Sequence, residues 1–469
     1  MTTRTLLPAI LQAVMKGQPV ALGDRHYPRW HLAPVTGLMN DPNGFIHFQG
    51  RYHLFYQWNP LGCAHQHKCW GHWSSADLTH WQHEPLALMP DEEYDRSGCY
   101  SGSAVDDNGR LTLCYTGNVK FDDGTRTAWQ CLAVQNADGG FDKLGPVMPL
   151  PGGYTGHVRD PKVWRHGEHW YMVLGAQDLA LQGKVLLLRS DTLWNWENLG
   201  EIAGSTLGGL GEAGYMWECP DLFMLDGKAI LICCPQGVTR EEKRYLNTYP
   251  SAYLCGDLNY DTPEFRHGPL MELDAGFEFY APQTTLTDDG RRLLIGWMGV
   301  PDGEEMLQPT VAQGWIHQMT CPRELSLRDG LLCQQPVREL AALRGEEQRL
   351  EGVAATLSPL AAESLELMLE AQGDVTLDFA ATLRLEWTRD GLRLARRSLA
   401  SGEWQYRYWQ GDARRLHILC DRSSVEIFIN DGESVMSSRY FPAANATLGF
   451  EGDAHLRLRY WSLRACMVE

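Results

Sequence analysis

The chain alternates short apolar runs with polar turns, and one pattern recurs five times: a turn that ends in glycine, followed by a short apolar strand. Successive turn glycines lie 59, 58, 60 and 63 residues apart, at Gly50, Gly109, Gly167, Gly227 and Gly290. The strands predicted to follow them are Tyr52–Gln57, Leu111–Gly117, Trp170–Ala176, Ile230–Gly237 and Leu293–Gly299. A nearly constant period of this length indicates repeated supersecondary units.

A second recurrence supports the repeat. The pattern S-x-x-L-x-x-W runs from Ser75 to Trp81 and again from Ser190 to Trp196, after the apolar strand of the first and third units. About 60 residues accommodate a four-stranded blade with long loops. We therefore expect an all-β chain in which residues 28–335 form a five-bladed β-propeller. The alternative, an open pair of β-sandwiches, does not account for the constant period.

The two ends of the chain follow other patterns. Apolar residues at positions 6, 7, 10, 11, 14 and 15 predict one face of a short amphipathic helix in an N-terminal extension, residues 1–27. Residues 336–352 are rich in Glu, Arg, Leu and Ala and read as a linker with a helical turn. Longer alternating strands then predict a C-terminal β-sandwich over residues 353–469.

Composition narrows the functional classes. The chain has 469 residues, 41 basic and 59 acidic, for a formal net charge of −18. That balance argues against nucleic acid and against anionic membrane surfaces as partners. The 13 cysteines form no regular framework, and no apolar run reaches the length of a membrane span. We therefore expect a cytoplasmic protein; its oligomeric state is not readable from the sequence.

Acidic residues lie seven to ten positions before the turn glycine in three of the five repeats: Asp41, Asp160 and Glu218. The other two repeats carry Ser101 and Tyr280 at that place. Equivalent positions in a closed ring of repeats face the same axis, so these side chains are predicted to converge. Asp41 and Asp160 each precede a proline, which favours extended backbone and little freedom.

Converging carboxylates suit either a metal site or glycoside hydrolysis, which needs one ionised carboxylate and one carboxylic acid. The neighbours favour the second. Arg159 is expected to keep Asp160 ionised, and the apolar residues around Glu218 are expected to raise its pKa. Aromatic, amide, hydroxyl and guanidinium side chains near the same ends are candidate sugar-binding groups: Asn40, Gln57, Trp70, Tyr100, Ser101, Arg159, Tyr280 and Trp297.

A zinc site is the main competing chemistry. Cys63, His65, His67 and Cys69 alternate, and on a strand all four would share one face. A polar loop between strands is favoured, because metal hairpins space paired ligands differently. We predict no metal and no cofactor.

Nine segments, in order, resemble glycoside hydrolase family 32, the β-fructofuranosidases. They begin at Asn40, Phe55, Trp70, Ser101, Arg159, Glu218, Tyr280, Gly296 and Pro322, and read NDPNG, FYQ, WGH, SGS, RDPKVW, ECPD, YAPQ, GWM and PREL. The segment SVEIFIN, from Ser424 to Asn430, adds a match in the predicted sandwich.

The resemblance implies a role for each acid. Asp41 resembles the nucleophile, Glu218 the general acid and base, and Asp160 the stabiliser of the transition state. The implied activity is retaining hydrolysis of the fructosyl bond of sucrose, of sucrose 6-phosphate, or of both. A fructosyltransferase and a non-catalytic sugar-binding propeller remain open as alternatives. A phosphorylated substrate calls for cations near the site, and Lys68, Lys120, Arg126 and Lys184 are available.

Overall fold

The computed structural model describes residues 3–466, with side chains from residue 6 onward. The outer ends of two predicted segments, residues 1–2 and 467–469, lie outside the described residues. The fold is all-β apart from one α-helix and four short 3-10 helices. Of the helices in the described part of the chain, none has the length and apolar composition needed to cross a membrane.

Helix α1 spans Thr3–Gly23 and is longer than predicted. Its buried stripe is also narrower than the predicted face, because Leu6 and Ile10 are buried while Leu11 and Met15 are 60% and 69% exposed. Leu6, Ile10 and the half-buried Val14 pack beside Cys69 at i, i+4 spacing. The remaining predicted positions are rotated about 100° from this stripe and face outward.

Five sheets follow, and in each of them the first four strands along the chain pair antiparallel, each with the next. The first sheet contains β1 (Gly37–Phe48), β2 (Arg51–Asn59), β3 (Cys69–Ser75) and β4 (Trp81–Leu88). The second contains β5 (Cys99–Asp106), β6 (Leu111–Lys120), β7 (Arg126–Gln135) and β8 (Phe141–Met148). The third contains β9 (Tyr154–His166), β10 (His169–Asp178), β11 (Gly183–Ser190) and β12 (Glu197–Gly204).

The fourth sheet contains β13 (Ala213–Leu225), β14 (Lys228–Val238), β15 (Ala252–Asn259), β16 (Glu264–His267) and β17 (Met271–Glu272). The chain continues through β18 (Tyr280–Leu286), β19 (Arg292–Trp297), β20 (Trp315–Ile316), β21 (Arg323–Arg328) and β22 (Leu331–Pro336). Of these, β20 pairs in parallel with β1, and the other four form the fifth sheet. Two of the four 3-10 helices, Glu305–Leu307 and Pro309–Gln313, precede β20.

The predicted repeat is present in detail. All five predicted apolar strands are the second strands of these sheets, and the five turn glycines have φ between 60° and 84°. The S-x-x-L-x-x-W segments form the same turn twice: Leu78 and Leu193 have φ of 65° and 69°. The indole nitrogens of Trp81 and Trp196 donate to the carbonyls of those leucines.

The first strands of the five sheets contact one another in chain order. Strand β1 packs beside β5, β5 beside β9, β9 beside β13 and β13 beside β18, and β18 contacts β1 in turn. Polar side chains join neighbours in this series, such as Ser103 to the Pro161 carbonyl at 2.7 Å. Gln283 of β18 accepts from the backbone nitrogen of Phe45 in β1 at 3.1 Å. The same ends of all five strands are thereby held side by side.

The C-terminal part consists of two six-stranded antiparallel sheets around one apolar core. The 3-10 helix Arg338–Leu343 supplies the helical turn predicted in the linker, and a second one spans Ala354–Thr356. The first strand of these sheets begins at residue 348, inside the predicted linker. The strands are β23 (Gln348–Val353), β24 (Leu360–Ala361), β25 (Leu365–Gln372), β26 (Val375–Phe379), β27 (Leu383–Thr388), β28 (Gly391–Arg397), β29 (Trp404–Gln410), β30 (Arg415–Asp421), β31 (Ser424–Ile429), β32 (Ser434–Arg439), β33 (Thr447–Glu451) and β34 (His455–Ser462).

A buried set of charges joins the fifth sheet to these C-terminal sheets. We name it the interface cluster: His31, Asp274, Arg323, Asp421 and Glu426, all buried. The guanidinium of Arg323 uses all its donors, on Glu426, Asp274, Gln334 and Ser437, at 2.6 to 3.2 Å. The ring nitrogens of His31 lie 2.9 Å from Asp421 and 2.9 Å from Glu426. The cluster therefore pairs every charge that it buries.

Candidate active site

A β-bulge interrupts each first strand and positions the predicted site residues. The register between first and second strand shifts after Met39, Tyr100, Arg159, Glu218 and Tyr280. Bulges bend the strand and re-aim its side chains, and they are frequent beside active sites. Asp41, Ser101 and Asp160 lie inside their bulges, whereas Glu218 and Tyr280 come directly before theirs. The acids are therefore not strictly equivalent, and Glu218 corresponds to Arg159.

The backbone of the third and fourth bulges differs from the prediction. Asp160 has a φ of 66° and not the predicted extended geometry, and Cys219, which is also followed by a proline, has a φ of 49°. Left-handed backbone at a non-glycine residue is costly and persists where its surroundings impose it. Here the Asp160 amide donates to Thr116 at 3.1 Å, and the Cys219 amide donates to the Asp160 carboxylate at 2.9 Å.

Asp41 is half-buried and faces the other acids. Its carboxylate accepts from the Ser101 hydroxyl at 2.6 Å and from the Asn40 amide at 3.1 Å. The Cys219 sulfur lies 3.8 Å from an Asp41 oxygen and 3.5 Å from an Asp160 oxygen. One small side chain thus contacts two carboxylates whose residues are 119 positions apart in the sequence.

The Glu218 carboxylate accepts four hydrogen bonds, from three residues. One carboxylate oxygen accepts from Arg159, at 2.6 Å from Nη2 and 3.1 Å from Nε. The other accepts from the Tyr280 hydroxyl at 2.6 Å and from the Gln236 amide at 2.8 Å. Burial by itself raises the pKa of Glu218, but Arg159 and Tyr280 outweigh it and hold the pKa below its ordinary value.

Asp160 shows the opposite behaviour. Burial raises its pKa to about 7; nearby Arg159 opposes that rise, and the charges of Glu218 and Asp41 add to it. The prediction that Asp160 is ionised and that Glu218 has the raised pKa is therefore wrong for the protein without substrate. Arg159 stabilises the ionised form of Glu218 more than that of Asp160, because its guanidinium donates to Glu218.

The predicted sugar-binding residues fall into two groups. Tyr100 and Arg159 are half-buried at the site, with Asn40, Ser101 and Tyr280 against the carboxylates. The others lie behind them: the Trp70 indole is fully buried and donates to the Tyr100 carbonyl at 3.1 Å. Gln57 and Trp297 are each 2% exposed, and Gln57 donates to the Cys99 carbonyl. Trp70 therefore supports the site and presents no open face for stacking.

At the site, Gln236 and His157 were not predicted as members, and Lys68 and Arg126 were named only as available cations. Gln236 donates to Glu218, and the Lys68 ammonium donates to Asn40 at 2.5 Å. His157 lies between Arg126 and Arg159, with its Nδ1 3.0 and 2.9 Å from their Nη1 atoms. Burial and these two cations lower the pKa of His157 to about 4, so it is neutral and accepts from both. A signal for Gln236 exists in its place near the carboxyl end of the predicted strand Ile230–Gly237, which is part of β14.

The four alternating ligands considered for zinc do not share a strand, because residues 61–68 form a loop. Within the described residues, one group could hold a metal ion: His65, Glu305 and His317, whose ligand atoms lie within 4.8 Å of one another. Both histidines already contact the same Glu305 oxygen, at 2.7 and 2.8 Å. Hydrogen bonds among the three side chains account for this arrangement.

Three buried or half-buried carboxylates, one of them with a raised pKa, set among hydroxyl, amide and guanidinium donors at one end of an all-β fold, are typical of glycoside hydrolases. Comparison with known families agrees. The profile for the glycosyl hydrolases family 32 N-terminal domain matches residues 31–336, and that for the family 32 C-terminal domain matches residues 339–462. The chain belongs to glycoside hydrolase family 32.

Individual relatives cover the whole chain. A sucrose-6-phosphate hydrolase of Salmonella typhimurium is 66% identical over 471 residues, covering 100% of both chains. One of Bacillus subtilis is 44% identical and covers 96% of this chain and 97% of its own. The solved structure of sucrose-6-phosphate hydrolase from Lactobacillus gasseri has a TM-score of 0.90 at 33% identity, covering 97% of each chain. The solved structure of a Bombyx mori β-fructofuranosidase mutant in complex with sucrose has a TM-score of 0.86 at 32% identity. The match covers 100% of this chain and 99% of that chain.

Proposed function

We propose that this protein is a retaining β-fructofuranosidase that hydrolyses the fructosyl bond of sucrose and of sucrose 6-phosphate. The products are fructose and either glucose or glucose 6-phosphate. The observation that carries the proposal is the meeting of Asp41, Asp160 and Glu218, from three different sheets, at one place. The similarity to sucrose-6-phosphate hydrolases over the full length supports the choice of substrate.

In the same proposal, the five N-terminal sheets are the blades of a five-bladed β-propeller, and the C-terminal sheets form a β-sandwich. The contacts between first strands, from β1 through β18 and back to β1, support a closed ring. Ring closure explains why bulges at matching places bring their side chains to one axis.

Asp41 is the proposed nucleophile. Its carboxylate attacks the anomeric carbon of the fructosyl unit, while Glu218 donates a proton to the glycosidic oxygen as the bond to the glucosyl unit breaks. The Ser101 and Asn40 donors hold the Asp41 carboxylate in one orientation for attack. In the second step Glu218 takes a proton from water, which attacks the same carbon and releases fructose and free Asp41. Asp160 binds fructosyl hydroxyls and stabilises the transition state.

The first step requires a proton on Glu218, although the free site favours that proton on Asp160. The two carboxyl groups titrate as a pair, so one proton is available to either below about pH 7. Substrate hydroxyls that engage the Arg159 donors weaken its ion pair with Glu218. The pKa of Glu218 then rises, and the proton moves to the residue that uses it.

The test is turnover by the purified chain and by two variants, Asp41→Ala and Glu218→Gln. We expect the wild type to release fructose from sucrose and from sucrose 6-phosphate, and both variants to lose turnover while keeping the wild-type circular dichroism spectrum. With methanol as acceptor, retention predicts methyl β-fructofuranoside. Near-wild-type turnover by either variant, or the α-anomer as product, would refute the assigned roles. Oligosaccharides as the main product at high sucrose would identify a fructosyltransferase.

We further propose a cytoplasmic location, since all 13 cysteines are free, as expected for a reducing compartment. Cysteine labelling of the protein in intact cells and in lysates tests this. Disulfides in freshly isolated protein would contradict it.

A further inference from the structure

Three cations beside the candidate active site have no carboxylate partner. Lys184, one of the four cations available in the sequence, is paired with Asp178 and Glu201 at 3.5 and 3.3 Å. Among the described residues, no carboxylate forms an ion pair with buried Lys68, half-buried Arg126 or exposed Lys120. In a chain with net charge −18, unpaired cations gathered in one place call for a reason.

Lys120 and Arg126 are direct cross-strand partners. They face each other at the turn end of the β6–β7 hairpin, on either side of residues 121–125. Side chains at opposed positions share one face of the sheet, with Cβ atoms about 5 Å apart, and like charges placed this way are destabilising. The pair gains from an anion that contacts both residues.

Arg126 is held in place from two sides. Its side chain packs so closely on Gly156 that a Cβ there would lie 2.3 Å from the Arg126 Cγ. Its guanidinium lies 6.0 Å from the Tyr100 ring centroid and donates to neutral His157, which uses its Nδ1 for Arg159 as well. Arg126 is therefore one residue removed from the ion pair of Arg159 with Glu218, the proposed proton donor to the leaving glucosyl group.

Lys68 completes the group from the side of Asp41. Its buried ammonium contacts Asn40 and His65, at 2.5 and 2.9 Å. The loop that ends at Lys68 joins β5 through a hydrogen bond from the Cys99 amide to the Lys68 carbonyl. Burial lowers the pKa of Lys68 to about 8; Asp41 and Glu305 oppose this, and Lys120 is near enough to lower it further.

We propose that Lys120 and Arg126, with Lys68 behind them, bind the phosphate of sucrose 6-phosphate and make this protein select the phosphorylated sugar. The inference rests on the proposed function, because it places the glucosyl group on the Glu218 side of the site. A phosphate dianion offsets the repulsion within the Lys120–Arg126 pair and accepts from the free guanidinium donors. Unphosphorylated sucrose leaves the pair uncompensated.

The experiment compares kcat/KM for sucrose and sucrose 6-phosphate in the wild type, Lys120→Gln, Arg126→Gln and the double variant. Arg110→Gln is the matched control, since it removes one positive charge from the other end of β6, ten residues or about 33 Å away. We expect each single variant to lose about 10- to 100-fold on sucrose 6-phosphate, as for a charged hydrogen bond. Sucrose should change by less than about threefold, and the control should change neither.

Inorganic phosphate provides a second measurement that needs no phosphorylated sugar. It should inhibit sucrose hydrolysis competitively in the wild type and in Arg110→Gln, and more weakly in the double variant. Equal losses on both sugars, or unchanged phosphate inhibition in the double variant, would overturn the phosphate site while leaving the hydrolase assignment intact. A wild type inactive on both sugars would instead refute the proposed function. Arg126→Lys, which keeps the charge, should recover part of the preference if Arg126→Gln folds poorly.

Discussion

Two buried charged groups in this protein follow opposite rules. In the interface cluster, the Arg323 guanidinium and the His31 ring each contact two carboxylates. In the candidate active site, three carboxylates share one guanidinium, that of Arg159, which donates to Glu218. The interface cluster pairs each of its three carboxylates with a cation, whereas the site is imbalanced, with one guanidinium for three carboxylates. That imbalance leaves Asp160 holding a proton near neutral pH, and available protons are what acid–base catalysis requires.

The pKa directions express the same contrast. Burial opposes the charged form of both Glu426 and Asp160. Arg323 and His31 reverse that effect for Glu426 and lower its pKa to about 2. Arg159 does not reverse the effect of burial on the pKa of Asp160, because Glu218 and Asp41 add negative charge nearby. Burial alone therefore does not identify a functional carboxylate; the balance of partners does.

The largest expected effect comes from removing one charge at the site. Asp41→Asn should lower kcat by about 10⁴-fold or more, because the amide cannot act as nucleophile. The free energy of unfolding should change by less than about 1 kcal/mol, since the substitution also relieves repulsion. Steady-state kinetics and urea unfolding measure the two. Large losses in both quantities would mean that Asp41 is structural.

The reverse outcome is expected in the interface cluster. Arg323→Ala leaves Glu426 and Asp274 buried without their cation, so the free energy of unfolding should fall by about 3–5 kcal/mol. Where the variant is folded, kcat/KM for sucrose should stay within a few-fold of wild type. Arg328→Ala, at an exposed position of the same strand, is the control. Similar stability of the two variants would contradict the described partnership.

These effects show how far the sequence predicts this molecule. The period of the turn glycines predicts all five second strands, and the family motifs predict Asp41, Asp160 and Glu218. The partner of Arg159 is not predictable in this way, because the bulges shift Glu218 to the place that Arg159 occupies one sheet earlier. A one-residue difference in a bulge leaves no periodic signal, yet it decides which acid is ionised. The predicted buried face of helix α1 is too wide for a related reason. The sequence of the helix is apolar on two stripes, and packing buries one of them.

pH should act on the two groups with opposite signs. The pKa of folded Asp160, about 7, lies above the ordinary value of 3.8, so the folded protein holds a proton that the unfolded chain has released between those values. Its contribution to stability therefore falls as pH rises from about 4 to 7. The Asp160→Asn variant lacks this titrating group. The difference between its melting temperature and that of the wild type should therefore increase from about pH 4 to pH 7.

Glu426 behaves in the opposite way. Its folded pKa is about 2 against an ordinary 4.5, so its contribution is complete above pH 4.5 and is lost as pH falls toward 2. The melting temperatures of the wild type and of Asp160→Asn should be measured from pH 2 to pH 8. Both should fall together toward pH 2, and they should diverge above pH 4. Parallel curves throughout would show that Asp160 has an ordinary pKa.

The smallest expected effect concerns Tyr280. Tyr280→Phe removes one donor from Glu218 while Arg159 and Gln236 remain, so the pKa of Glu218 should rise. The alkaline limb of the kcat/KM profile should move to higher pH, and kcat/KM at neutral pH should change by about tenfold at most. Tyr245→Phe, whose hydroxyl serves the Leu270 carbonyl instead, should leave the profile unchanged. A shift of the alkaline limb to lower pH would contradict the role of this hydroxyl.

The placement of Arg323 has a consequence for how this enzyme can be taken apart. Arg323 belongs to the fifth sheet, but Glu426 and Ser437, which complete its coordination, come from the C-terminal sheets more than 100 residues later. A protein truncated near residue 336 would expose the Arg323 guanidinium and an apolar surface that the C-terminal sheets cover. The C-terminal sheets thus supply a counterion and an apolar cover for the five sheets that hold the candidate active site, and a shorter fragment would need a replacement for Glu426 beside Arg323.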